Sequence, residues 1–363
     1  MKKWVIIVLT AALLMSCRPV GPNYTRPLVQ PPGTFRGADQ TSASDPTSLA
    51  DLKWFELFKD PALQRLIRAA LEQNYDLRNA VARVNAARAN LGITRADQYP
   101  GVAANTDITT LRISRGGSFP LPAGVEQRRT FGSVALNLLS FEADIWGRLR
   151  HATEAAQADL LATDENRKAV VTTLVGDVAG AYFNLLEQDS ELEIARHTLD
   201  TREQSLKLIR TREEKGLATR LEVRQGEQLV HAAEQRIPAI EQTIEQTENQ
   251  ISLLLGENPR EVIRQGRFNE DLFPPEVPTG LPSALLERRP DIRAAEQNLI
   301  AANAEIGVAK AAYFPRLSLS GSLGGQSTQL SSLFSGPSSA WSFVPQVTQP
   351  IFTAGRIKSK VTR

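Results

Sequence analysis

The sequence predicts a mainly α-helical chain with a smaller share of β-strand suited to a membrane, and it lays out that plan twice. Three observations carry this. A 25-residue segment recurs without a gap, residues 76–100 matching 291–315 at an offset of 215. Between the copies, residues 148–215 contain no proline and hold aliphatic residues in heptad register. Beyond the N-terminus no uninterrupted run reaches the roughly 18 apolar residues of a spanning helix, so any passage through a bilayer falls to strands.

The first residues read as an export signal. Lys2 and Lys3 precede an apolar run from Trp4 to Met15, and Leu14-Met15-Ser16-Cys17 follows the layout of a cleavage site. Residues 1–16 are thus a signal peptide. Cys17 is the only cysteine of the chain, so it has no internal disulfide partner. The segment resembles a bacterial lipobox, which implies that Cys17 carries diacylglycerol and an N-acyl chain. Arg18, where an aspartate would favour the inner membrane, is consistent with the outer one. Residues 17–59, rich in Pro, Gly, Ser and Thr, read as a tether.

The first repeat is placed at 60–258. A helix opens at Asp60-Pro61, with aspartate as N-cap and proline at the first position, breaks near Asn74, and runs to about Asp97. The repeated segment then pairs Asp76 with Asp291, Arg78 with Arg293, Gly92 with Gly307 and Pro100 with Pro315. After each copy the chain turns polar and alternating, as strands with one apolar face do; Leu317-Ser318-Leu319-Ser320 is the clearest case. A β-hairpin is predicted at about 100–141, and its counterpart at about 316–351 after a helix at about 282–312. Gly147-Arg148 and Gly355-Arg356 close the two units at an offset of 208, so the second hairpin is 7 residues shorter, 215 minus 208.

From about 144 to 256 the chain predicts a long helical hairpin. Val171, Val178, Leu185, Leu192, Leu199 and Leu206 share one heptad position; after a break at Gly216, Val223, Val230, Ile237, Ile244 and Ile251 repeat it. A first arm of this length extends about 100 Å. Pro238 is expected to kink or restart the return arm. At the turn, Gly216 permits the reversal, Thr219 and Glu222 are spaced as a capping box, and Leu217, Leu221 and Val223 are candidates for an apolar contact surface.

Other chemistry finds little support. With 42 basic and 40 acidic residues, net charge gives no reason for a nucleic-acid partner. His151, His197 and His231 have no neighbours at metal-ligand spacing and read as surface or packing residues, and neither a phosphate loop nor a nucleophile motif is present. An enzyme is not expected, nor a cofactor beyond the lipid on Cys17.

The order of lipobox, tether, helix, strand hairpin and long helical hairpin, begun a second time, resembles the outer membrane factor family, the TolC-like channels of efflux pumps. Val20-Gly21-Pro22-Asn23-Tyr24, Trp54-Phe55, the stretch from Phe141 to Arg148, and Glu287-Arg288-Arg289-Pro290-Asp291-Ile292 match its lipoprotein branch. The resemblance implies a homotrimer with four strands per protomer in a twelve-stranded β-barrel, above a periplasmic α-barrel of long helices. It also implies passive conduction in a tripartite system with a periplasmic adaptor and an inner-membrane pump of the RND type, in contact with outer-membrane lipid. Gly216, Leu217, Thr219, Leu221, Glu222 and Val223 resemble the tip that docks the adaptor, although Glu222 replaces the more frequent aspartate and Arg220 a small residue. The expected second repeat, within 259–363, is incomplete: about 110 residues separate Gly147 from Asn258, against eight after Gly355. On that count a complete member would run to about 470 residues, and the chain as written is expected to lack half the wall of its α-barrel. Two other readings remain at this stage: a channel for type I protein secretion, and a lipid-anchored coiled-coil scaffold with no pore.

Overall fold

The computed structural model describes residues 19–28, 53–114, 124, 126–264 and 286–362. The signal segment and Cys17 lie outside them. In chain order the elements are α1 (Trp54–Leu57), α2 (Pro61–Gln73), α3 (Tyr75–Ala96), β1 (Val102–Arg112), β2 (Arg128–Ala143), α4 (Arg148–Glu214), α5 (Arg220–Leu255), α6 (Pro290–Ala311), β3 (Arg316–Ser327), β4 (Ser339–Thr348) and α7 (Arg356–Thr362). The bounds of α3 and α6 differ by 215 at both ends, and those of α4 and α7 begin 208 apart, the offsets found between the repeats. The chain forms two compact units that cut across the repeats. A strand-bearing unit takes the chain up to Pro27 with Asn85–Ala162 and Ala295–Arg363; a helical unit takes Leu28–Val84 and Thr163–Ala294.

In the helical unit, the arm of α4 from Thr163 onward and α5 form an antiparallel hairpin. The heptad residues line its seam. Val178, Leu185 and Ile251 are fully or almost fully buried in one apolar cluster with Leu63, Ile67 and Tyr182, and Leu206, Val223 and Val230 form a second cluster toward the turn. Arg196–Glu241, Arg210–Glu227 and Arg236–Glu191 ion pairs bridge the arms at 2.8, 2.9 and 2.6 Å. These pairs are exposed, so each contributes less than about 1 kcal/mol and chiefly fixes register. Helix α5 runs unbroken through Pro238 and does not restart there. Pro238 lies on the exposed side, where water can satisfy the carbonyl one turn back that loses its donor.

Helix α2 docks where Asp60 does two jobs. One carboxylate oxygen caps the helix by accepting from Ala62 N at 2.7 Å, and the other accepts from the Tyr182 hydroxyl at 2.6 Å. Burial and the adjacent carboxylate push the Tyr182 hydroxyl well above its ordinary pKa, so it stays a donor. Asn74 explains the break before α3: its amide oxygen accepts from Leu77 N at 2.9 Å, and its amide nitrogen donates to Leu254 O at 3.0 Å. The chain beyond α5 is pinned by Arg264, whose guanidinium pairs with Asp189 on α4 and Glu248 on α5.

By length and composition, one stretch of α4 is apolar enough to cross a membrane, which the count of uninterrupted apolar runs did not register. Within α4, Leu174, Val178, Tyr182 and Leu185 are buried in the core of the helical unit.

In the strand-bearing unit the four strands form one antiparallel sheet in the order β1-β2-β3-β4. Each repeat supplies one hairpin, and β2 pairs with β3 to join them. Strand β2 reaches Ala143 and α4 begins at Arg148, four residues later than the expected 144. The reason is Gly147, which at φ 82° supplies the left-handed turn between strand and helix; Gly355, at φ 80°, does the same before α7. The two repeats are fastened at the base of the sheet. Trp146 stacks on Phe314 with centroids 4.7 Å apart and donates its indole N–H to Pro315 O at 2.8 Å. The Val20–Tyr24 phrase packs here as well: Val20 N donates to Trp146 O at 2.9 Å, and Asn303 Nδ2 donates to Pro22 O at 3.0 Å.

Candidate functional sites: the helical turn and the two faces of the sheet

The turn between α4 and α5 is built from few residues. Gly216 adopts φ 75°, and its N–H donates to Glu213 O at 2.8 Å while Leu217 N donates to Arg212 O at 2.8 Å, closing the end of α4. Thr219 then caps α5. Glu222 N donates to Thr219 Oγ1 at 3.3 Å, and Thr219 N donates to Glu222 Oε2 at 2.6 Å. The backbone and hydroxyl donors of Thr219 hold the Glu222 carboxyl below the usual glutamate range. Thr219→Ala is expected to destabilise the hairpin by about 1 kcal/mol, the usual cost of losing an N-cap. A chevron or melting comparison that shows no loss would reject this role. Because the folded pKa of Glu222 is depressed, its contribution is present above the unfolded glutamate pKa and disappears as pH falls through the folded one. Circular dichroism melts between pH 7 and pH 3 should show hairpin stability dropping at the acid end, and less so in Thr219→Ala.

The six turn residues do not act as one surface. Leu217 and Leu221 each remain 67% exposed, whereas Val223 is 8% exposed and packs with Leu206 and Val230. Val223 is therefore part of the hairpin's own core, one turn past the cap, and the apolar contact surface expected of the three is reduced to Leu217 and Leu221. The heptad spacing that runs through Val223 places it in the seam.

The sheet is the second feature. Register places Val102, Ile108, Leu136, Leu323, Trp341 and Phe343 on one face, and Asn105, Asp107, Ser133, Asn137, Ser322 and Ser342 on the other. A register shift between Leu138 and Phe141 moves the alternation of β2 by one residue and keeps Phe141 opposite Leu319 on the apolar face. Leu323, Trp341 and Val347 are 64%, 75% and 66% exposed in the chain. Polar contacts lie across the other face, where Ser133 donates to Asp107 and Ser322 meets Ser342 at 2.8 Å. The alternation of Leu317-Ser318-Leu319-Ser320 shows this division within one strand, while glycines and serines blur it in the others. Pairing four strands sums the signal.

Among the described residues no group of His, Cys, Asp or Glu is placed to hold a metal. His151 and His231 each turn Nδ1 toward a glutamate one helical turn on, Glu154 at 3.0 Å and Glu234 at 2.8 Å, and His197 lies 3.3 Å from Thr201 Oγ1.

Comparison with known proteins agrees across nearly the whole length. The profile of the outer membrane efflux protein family matches residues 66–257 and 281–363. A probable efflux pump outer membrane protein of Pseudomonas putida, TtgC, is 35% identical over 99% of this chain and 74% of its own. A probable outer membrane lipoprotein of Salmonella typhimurium, SilC, is 34% identical over 97% of this chain and 74% of its own. The open state of the Neisseria gonorrhoeae MtrE outer membrane channel superposes with a TM-score of 0.83 at 33% identity, over 95% of this chain and 75% of that one.

Proposed function

Because the chain belongs to the outer membrane efflux protein family, we propose that it is the outer-membrane channel subunit of a tripartite efflux system, conducting small molecules passively to the exterior. The fold is TolC-like and the location is the outer membrane. The observation that carries the channel reading is the sheet with one face mostly apolar along its middle and the other mostly polar, as a barrel between lipid and water requires. Sheet edges at β1 and β4 are open in a single chain. Closure with further copies, in a trimer of twelve strands, would pair them. The proposed partners are a periplasmic adaptor and an inner-membrane pump of the RND type. Cys17 is the proposed lipid attachment, supported by likeness to a relative described as an outer membrane lipoprotein. The chemistry is conduction without catalysis. A poreless scaffold would have no use for the two-faced sheet.

The turn is the proposed adaptor contact, with Leu217 and Leu221 as its apolar surface, Gly216 as its hinge residue, and Thr219 with Glu222 as its frame. Replacing both leucines by aspartate should leave the helical fold and outer-membrane recovery unchanged, since both side chains are exposed. It should also raise dye accumulation in cells that depend on this protein toward the level of cells lacking it. Efflux equal to that of the parent chain would reject the docking role. Purified, correctly inserted protein that passes no current in planar bilayers would reject the channel itself.

A further inference from the structure

On the apolar face, the end of the first hairpin carries an arrangement that the sheet alone does not stabilise. Arg112 and Arg128 are directly opposed partners in the β1–β2 register. Opposed residues on one face stand about 5 Å apart at their Cβ atoms, and like charges there repel. The preceding pair on that face, Thr110 and Thr130, joins hydroxyls at 3.0 Å, so side chains at these positions do meet. Both arginines are exposed. The Arg112 guanidinium donates to the neutral Gln127 amide at 3.4 Å, and no ion pair to Arg128 occurs among the described residues. A hollow lined by Thr110, Leu111, Arg112, Glu126, Gln127 and Arg128 lies between them.

The charge is not cancelled elsewhere in the loop. From 112 to 129 the sequence holds Arg112, Arg115, Arg128 and Arg129 against the single acid Glu126. Residues 328–348, which form the other hairpin loop and β4, hold no charged residue at all, so a second copy pairing β4 against β1 would bring no carboxylate. Along the apolar face the order outward is Leu136 and Leu323, then Ile108, then the Thr110–Thr130 hydroxyls, then the two guanidiniums. From Ile108 to Arg112 the strand advances about 13 Å. Hydrocarbon, then hydroxyl, then cation is the order in which a lipid presents acyl chain, glycosidic or ester oxygens, and phosphate.

We propose that Arg112 and Arg128 bind a phosphate of a phosphorylated glycolipid in the outer leaflet, whose acyl chains lie along the apolar face below. This rests on the outer-membrane reading, which puts the hairpin loops at the external surface. A phosphate between the two guanidiniums accepts from both and removes their repulsion, and planar guanidinium forks match phosphate oxygens. Arg129 belongs by alternation to the opposite face and serves as the control.

The test uses the whole chain purified in detergent, with native mass spectrometry counting bound lipid. The probes are diphosphoryl lipid A, the same lipid with its phosphates removed, and inorganic phosphate. The parent chain and Arg129→Gln should retain diphosphoryl lipid A, Arg112→Gln/Arg128→Gln should retain about tenfold less, the phosphate-free lipid should be lost from all three, and inorganic phosphate should not displace the bound lipid. Equal retention by the double variant, equal retention of the phosphate-free lipid, or an equal loss in Arg129→Gln would overturn the site. Displacement by inorganic phosphate would show a free-anion site and overturn the glycolipid. Recovery in the outer-membrane fraction of the producing cells is scored separately. A chain absent from that fraction refutes the membrane reading, while a chain present there with unchanged lipid binding refutes only this site.

Discussion

Tyr182→Ala is expected to cost the helical unit about 4 kcal/mol, within the range for emptying a buried aromatic site. Among the described residues Tyr182 is the largest fully buried side chain. Its removal leaves a void among Leu63, Ile67 and Val178, and it strands the Asp60 oxygen that accepts its hydroxyl. That carboxylate also caps α2, so the two losses add where α2 docks. Tyr182→Phe separates them: it keeps the ring and deletes the bond, and should cost about 1 to 2 kcal/mol. Thermal unfolding followed by helical circular dichroism should fall on the order of 10 °C for the alanine variant. A midpoint within a degree or two of the parent would mean that this core does not hold the unit together.

The second large effect depends on which face of the sheet meets lipid. Leu136→Arg puts a charge on the face shared with Leu323, while Asn137→Arg, one residue on, puts it on the face shared with Ser322. In a bilayer the first should cost about 2 to 4 kcal/mol near the midplane. The second should cost little and should alter the ion preference of the conducted current. Urea unfolding from lipid vesicles measures both. Equal costs for the two neighbours would remove the basis for a lipid-facing side and a pore-facing side.

Much of this architecture was legible in the sequence because it is periodic. Heptads bury the same side of α4 and α5 over many turns, and Gly216 with the Thr219–Glu222 spacing marks the reversal without tertiary information. The repeat offsets of 215 and 208 carried over to the bounds of the helices. What was not legible arises between distant segments. Nothing near Trp146 in sequence announces Phe314 and Pro315 as its partners. Arg264 gave no sign that it would clasp Asp189 and Glu248. Asp60 is legible as a cap, but its bond to Tyr182 depends on a fold that brings together residues 122 positions apart. Within the turn, Val223 satisfied two patterns at once, and the heptad prevailed because burying an aliphatic residue in the seam outweighs leaving it at the tip.

The pairing of β2 with β3 also sets a timetable. Gly132 is matched with Ser327, 195 positions later, yet the β1–β2 hairpin is complete by Ala143. As the chain emerges from the export machinery, the first hairpin must wait through the whole of α4, α5 and α6 for its neighbour. During that interval both of its strands have an unsatisfied edge, and its water-repelling side is uncovered. Such a segment is most prone to sticking to other chains before the second hairpin arrives. The length of that exposure is therefore set by the helical arms rather than by the strands themselves.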